Sequence, residues 1–422
     1  MTSRRAFLKA GGLALVGLGL GGVPGFMARA ADSQKHIALY KRSKVLVCIF
    51  QRGAMDGLMA VSPFNDPYLR EARPDLFMSP ARNGTGKPLI DLDGTFGLHP
   101  ALQAFEPLFR EKRLAIVHGM GSPNNTRSHF DAQDYMESGT PFSKSTSSGW
   151  LNRAVGLLGH DASPFQAVSL TSAMPRSLYG DQPALAIRDL KDFALQSKGT
   201  PLDLSTTAQS FESLYDQTSS ALLKQTGKES FEAMKILQQA QTGKYAPAPG
   251  VVYPTTALGT SLKQIAQLVK MDVGLEVAFA ESGGWDTHFN QGTGNGTFAR
   301  NAQDFSNSIA AFWADLVAYQ DDVTILTMTE FGRTVKQNGT RGTDHGRASC
   351  SFIIGNDVKG GLVHGALHPL AVENLEDGRD LAVTTDFRSI FSEVAGTHLA
   401  IQNNRVLFPD WEEKRTGVMR TA

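Results

Sequence analysis

A chain of 422 residues with 41 basic and 41 acidic side chains carries no net formal charge, so no whole-molecule field draws it to nucleic acid or to an anionic membrane. Its 41% apolar content and 42 glycines describe a loop-rich globular protein long enough to bury a substantial core. Cys48 and Cys350 both lie in apolar strand-like runs and read as buried thiols. A disulfide between them stays open, because sequence does not show whether their Cβ atoms approach.

The chain begins with Ser3-Arg4-Arg5-Ala6-Phe7-Leu8-Lys9 and an apolar Gly/Leu/Val run, the pattern of a twin-arginine export signal. Ala28-Arg29-Ala30 supplies a small-x-small cleavage pattern, so residues 1–30 are set apart from a single mature domain over 31–422. That domain is expected in the periplasm after passage through the twin-arginine translocase, a route taken by folded proteins, often with a metal or cofactor already loaded. The alternative is an uncleaved anchor, although the apolar run of roughly 15 residues falls short of the ~20 that span a bilayer. After cleavage no stable membrane span remains. Gly17-x-Gly19-x-x-Gly22 imitates a dinucleotide fingerprint but lies inside the signal with no strand before it.

Beyond the signal, strand-like runs recur at 45–50, 114–118, 165–170, 184–187, 274–280, 323–328 and 351–354, with helical patterns between several of them. This alternation predicts an α/β sandwich of three layers around a largely parallel central sheet. Between 138 and 148 a Ser/Thr/Gly-rich stretch reads as a mobile loop. From about 197 to 244 the composition turns to Gln, Ser, Lys and Glu, and Phe211, Leu214, Tyr215, Leu222 and Leu223 recur near helical spacing. This reads as a helical insertion, closed by Tyr245-Ala246-Pro247-Ala248-Pro249-Gly250. Leu258, Leu262, Ile265, Leu268 and Val269 mark one later helix, and Phe298, Phe305, Ile309, Phe312 and Leu316 mark another, as core stripes.

Ligands of open α/β sheets bind outside the carboxyl ends of the strands, so the loops there are where chemistry is sought. Asp56 stands in the loop after the first mature strand. Gly283-Gly284-Trp285-Asp286-Thr287-His288 and Glu330-Phe331-Gly332-Arg333 follow two others, and Thr343-Asp344-His345-Gly346 comes shortly after. With His364, these residues offer the oxygen and nitrogen donors of a metal-assisted hydrolytic site holding one or two divalent ions, Zn, Mn or Ca. Each has a bland counterpart: Asp56 as a turn or cap residue, Glu330 as a salt-bridge partner of Arg333, His364 as a structural histidine. His99, before Pro100, reads as a helix-start residue.

The nucleophile is sought after the second mature strand, where Ser128 or Thr126 precedes a helix whose amino end favours an attacking alkoxide. The competing reading makes Ser128 an N-cap, with Asp131 completing a capping box. Arg52, Arg127, Arg333, Arg341 and Arg347 all lie within five residues of a candidate, which favours a small anionic ester as substrate, with two or three of them in the site. No Gly-x-Ser-x-Gly, His-Glu-x-x-His, Cys-x-x-Cys or phosphate loop is present. A redox protein has no haem, iron–sulfur or flavin signature to support it.

On Arg52-Gly53-Ala54-Met55-Asp56-Gly57-Leu58, Ser128-His129-Phe130-Asp131, Gly284-Trp285-Asp286-Thr287-His288, Thr329-Glu330-Phe331-Gly332-Arg333-Thr334 and Gly342-Thr343-Asp344-His345-Gly346, the chain resembles a twin-arginine-exported bacterial family, domain of unknown function 1501. The resemblance runs on to Asp386-Phe387-Arg388-Ser389-Ile390-Phe391. That family is in turn similar to the alkaline phosphatase superfamily, with its sulfatases and phosphoglycerate mutases. The resemblance implies an alkaline-phosphatase-like fold and a two-metal hydrolase of phosphate or sulfate esters. Asp56, Ser128, Asp344 and His345 would surround one metal, and Asp286, His288 and His364 the other. Glu330 stands where the superfamily has Asp-His. The alternative implied is a non-catalytic binding or scaffold protein that keeps the fold.

Overall fold

The computed structural model describes residues 13–15, 43–81, 87–160, 163–190 and 245–420, so the insertion expected at 197–244 lies outside the described residues. Among the described residues, thirteen strands form two sheets. The larger has ten strands in the order β1-β8-β7-β9-β2-β10-β11-β6-β12, with β13 also paired to β6. Its members are β1 (Leu13–Leu15), β2 (Val45–Gln51), β6 (Leu114–Gly121), β7 (Ala167–Ser169), β8 (Leu185–Ile187), β9 (Val277–Ser282), β10 (Val323–Met328), β11 (Ser349–Ile354), β12 (Val363–His364) and β13 (Thr385–Asp386). The short strands β3 (Val61–Ser62), β4 (Ile90–Asp91) and β5 (Gly97–Leu98) form a separate antiparallel sheet.

In the large sheet β8, β7, β9, β2 and β10 run parallel, and β12 and β13 run parallel to β6. β11 is inserted antiparallel between β10 and β6, and β1 pairs antiparallel with β8. β1 falls inside the segment read as the export signal, so cleavage after Ala30 would remove it from the sheet.

Alternation along the strands divides the core into two halves. On β2, Val45, Val47 and Ile49 join one apolar cluster, whereas Leu46, Cys48 and Phe50 join the other. The first is covered by α1 (Ala257–Lys270) and α2 (Thr297–Asp315), the second by α3 (Trp150–Leu157) and α4 (Phe387–His398). Helices on both faces of a mostly parallel sheet give the expected α/β sandwich. The stripe read on the 297–320 segment is core: Phe298, Phe305, Ile309, Phe312 and Leu316 are all buried. Fully burying each phenylalanine ring contributes about 1.5–3 kcal/mol.

Cys48 and Cys350 are both free and buried, and they belong to the two opposite core clusters, which leaves no bridge between them. Burial pushes both thiols up, so neither is a reactive thiolate. The 138–148 segment is irregular, but it is tied down. Arg153 donates to the Ser148 carbonyl at 2.8 Å, Arg176 donates to the Ser147 carbonyl at 2.9 Å, and Thr140 Oγ1 bonds Thr146 Oγ1 at 3.0 Å.

Three histidines are built into the core as neutral rings. His99 accepts the Ala101 N–H on Nδ1 and bonds the Thr293 carbonyl through Nε2. His118 does the same with the Gly119 N–H and the Val61 carbonyl, and His398 with Thr324 Oγ1 and the Val45 carbonyl. A carbonyl only accepts, so each Nε2 carries the proton and each Nδ1 has none. Burial pushes all three down to about 4, whereas the unfolded chain titrates near 6.5. The unfolded state therefore binds more protons between these values, and the rings' contribution is full above pH 6.5 and lost as pH falls towards 4. Denaturant titrations of the metal-free protein should show stability falling by up to about 1.4 kcal/mol per pH unit per ring in that window. A flat profile from pH 7 to 5 would contradict this reading.

Candidate metal centre

Four connections converge at one edge of the large sheet. The loop after β9 carries Asp286 and His288, the loop after β10 carries Glu330 and Arg333, and α5 (His129–Ser138) begins beyond β6. Asp344 and His345 precede β11. Because β11 is antiparallel, its start lies at the carboxyl ends of its parallel neighbours, which is how a segment 14 residues beyond Glu330 returns to the same edge. An isolated bridge between Arg333 and His345 fastens the return.

Glycine permits the close packing of these loops. Gly53 has φ +110, and a Cβ there would lie 2.6 Å from the Asp286 nitrogen. A Cβ on Gly342 would lie 2.2 Å from the His288 carbonyl oxygen.

At the centre is one carboxylate oxygen, Asp286 Oδ1. The Nε2 atoms of His288, His345 and His129 lie 3.1, 3.3 and 3.5 Å from it. The ligand atoms of His129, Asp286 and His345 all fall within 4.8 Å of one another, the only such group of three or more among the described residues. His288 Nε2 lies beside this group, 2.9 Å from His345 Nε2.

The far side of each ring fixes its tautomer. His129 Nδ1 bonds Glu330 Oε1 at 2.8 Å, His288 Nδ1 bonds Asp344 Oδ1 at 2.9 Å, and His345 Nδ1 bonds the Arg127 carbonyl at 2.8 Å. These partners accept, so each Nδ1 holds the hydrogen and each neutral ring turns an Nε2 lone pair inwards. Two lone pairs at 2.9 Å repel unless a proton or a cation lies between them. His129 Nε2 is buried and has no hydrogen-bond partner, so a proton shared by His288 and His345 leaves it unsatisfied. A cation held by His129, Asp286 and His345 would give His129 Nε2 a partner and relieve the repulsion at His345 Nε2. Tetrahedral ligands about 2.0–2.1 Å from a zinc ion lie roughly 3.3 Å apart, close to the spacings around Asp286 Oδ1.

The Glu330 hydrogen bond raises His129 and makes its ring a stronger base, while partial burial, helped by the neighbouring His129 and Arg333, lowers His345 and keeps it neutral. Burial pushes Asp286 up, but Arg333 more than offsets it and holds the carboxylate ionised. Burial likewise opposes ionisation of Glu330, yet donors from His129, Gln133 and the Gly53 N–H keep it below the usual carboxylate range. The Asn338 amide, then His288, lowers Asp344.

Of the residues chosen from sequence, Asp286 and His345 belong to the convergent group and His288 stands against it. Glu330 and Asp344 stand one shell out, where carboxylates hold the imidazoles. Asp56 is elsewhere: buried, it receives Arg73 at 2.8 and 3.1 Å and the Gln291 amide at 2.7 Å, and it caps the turn at Met59. His364 lies opposite Val117 on β6, four residues short of that strand's end at Gly121, roughly 13 Å along it. Its Nε2 bonds the Lys359 carbonyl.

Of the five arginines expected to hold an oxyanion, Arg341 is exposed and the other four are engaged by protein groups, although Arg347 Nη1 is buried without a hydrogen-bond partner. Arg333 has no exposed side-chain surface and donates to the carbonyls of Ala54, Gly53, Trp285 and Thr343 and to Asp286, clamping the loops together. Arg127 pairs with Asp377 and Asp380, Arg52 with Glu137 and Glu281, and Arg347 with Glu376. Arg127 serves the centre through its carbonyl.

Ser128 is the N-cap residue of α5 by position, but its side chain makes no cap hydrogen bond, and Asp131 pairs with Lys144 instead of closing a capping box. Thr126 Oγ1 accepts the Ser128 N–H at 3.2 Å. His129 was the donor that sequence reasoning passed over. Its signal was present, because it follows Ser128 at the first helical position beyond a strand.

The family model described as "Protein of unknown function (DUF1501)" matches residues 115–407, a stretch that contains every donor of the centre. The chain belongs to the DUF1501 family. Among solved structures, this DUF1501 chain is similar to the PsFucS1 sulfatase from Pseudoalteromonas sp., at 12% identity and a TM-score of 0.38, covering 95% of this chain and 78% of the sulfatase. A likeness that distant says nothing about chemistry. No curated protein matches the DUF1501 chain significantly. No described helix is long and apolar enough to cross a membrane.

Proposed function

We propose that this DUF1501 protein is a metal-dependent hydrolase of phosphate or sulfate esters that acts in the periplasm after twin-arginine export. The observation that carries the reading is the set of inward-facing Nε2 atoms around Asp286 Oδ1, each ring pinned from behind by an acceptor. Three protein donors with a further position to fill is the arrangement of catalytic rather than structural zinc sites. Imidazole-rich donors favour zinc over calcium, which takes six to eight oxygens. A divalent ion held by His129, Asp286 and His345 would supply Lewis acidity and a bound water of pKa about 7.

The chain's own residues supply the rest. α5 has ten residues and no side-chain cap, so its first N–H groups are free to hold an anionic substrate group beside His129. In this reading Ser128 Oγ, without a hydrogen-bond partner among the described residues, attacks the phosphorus or sulfur and gives up the proton that the leaving alcohol takes. The ester O–P or O–S bond then breaks, the alcohol leaves with a proton, and water releases the oxyanion from the serine. In the metal-loaded protein, Ser128→Ala should cut turnover of a phosphate or sulfate monoester by about 100-fold or more while leaving metal content unchanged. Full residual activity would remove Ser128 from the mechanism.

The engagement of Arg52, Arg127 and Arg333 by protein groups favours a second reading, a metal-binding protein without turnover. A metal-loaded protein that binds phosphate and sulfate but hydrolyses no monoester of either would decide for it.

A further inference from the structure

Among the described phenylalanines only three are exposed, and two of them directly follow site histidines: Phe130, 90% exposed, after His129, and Phe289, 68% exposed, after His288. The third, Phe142, has no such neighbour. The site rings already contact one aromatic, because Phe331 lies 4.9 Å from His129 in a stacked arrangement and 5.1 Å from His345. Phe130 occupies the second position of α5, in the turn whose N–H groups are uncapped. A phenylalanine left in water there gains nothing for the fold, since its burial term is unrealised.

We propose that Phe130 and Phe289 form a leaving-group subsite that grips a ring with an apolar face, either an aryl group or the C–H face of a pyranose, while the ester's anion lies at the metal centre. The inference rests on the ester-hydrolase reading and narrows its substrate class to ring-bearing monoesters. Aromatic side chains recognise such rings by offset stacking or C–H contact, which needs an accessible π face.

The test is calorimetric titration of zinc-loaded protein with non-hydrolysable anions. Phenylphosphonate and benzenesulfonate represent the aryl ring, 6-deoxy-6-sulfoglucose the pyranose, and methylphosphonate and methanesulfonate no ring. At least one ring ligand should bind more tightly than its methyl counterpart. Phe130→Ala and Phe289→Ala should each weaken that ligand by about three- to tenfold, the range of an aromatic pair, with methyl-anion affinity and zinc content unchanged. Which ring gains identifies the source. Equal affinity for ring and methyl anions, or no change in either variant, overturns the subsite alone. Failure of the zinc-loaded protein to bind any of the anions overturns the ester reading and the subsite with it.

Discussion

His129→Ala is expected to abolish tight metal binding, whereas Asp344→Ala should weaken it by only about 10–100-fold. The two residues differ in which side of an imidazole they occupy. His129 brings an unpartnered Nε2 to the centre, and its loss removes a donor from the convergent group of three. Asp344 touches His288 through the outer Nδ1, so its loss frees that ring to turn but leaves the donors His129, Asp286 and His345 in place. Competition titrations with a chromogenic chelator measure both. Equal and complete loss in the two variants would make Asp344 a ligand, as the sequence pattern suggested, and would contradict the arrangement argued above.

Asp56→Ala should cost about 3–5 kcal/mol of stability without lowering the metal content of the protein that remains folded. Removing the carboxylate strands the buried Arg73 guanidinium, whose remaining acceptors are the backbone carbonyls of Val335 and Thr334, and it also strands the Gln291 amide. A charge left unpaired in the interior costs several kcal/mol, far more than an exposed pair contributes. Denaturant unfolding beside elemental analysis separates the outcomes. Loss of metal at unchanged stability would make Asp56 a ligand after all.

These two residues mark how far the sequence could be read. The parallel strands were legible because a strand buried on both faces is a short unbroken apolar run, as 45–50 and 323–328 are. The location of the centre was legible too, because Gly-rich loops after such strands gather at one sheet edge. The sorting of carboxylates was not. Glu330, Asp344 and Asp56 have similar local surroundings in sequence, and what separates them is a partner supplied from elsewhere: His129, His288 and Arg73 respectively. A buried ion pair across 17 residues has no periodicity to betray it. His129 was obscured by the serine beside it, whose capping reading drew attention to helix chemistry although the cap bond does not form. The arginines misled for the same reason as the carboxylates. Their number near the site was readable, but the occupation of Arg52, Arg127 and Arg333 by carbonyls and acids was not.

His129, Asp286 and His345 are proposed to hold one metal ion. Elemental mass spectrometry of protein purified without chelator, beside the His345→Ala variant, tests it most directly. About one equivalent of zinc or a similar transition metal is expected in the wild type, with loss of that metal in a variant that stays folded. Well-folded wild-type protein that carries no metal and takes up none on dialysis against zinc would contradict it.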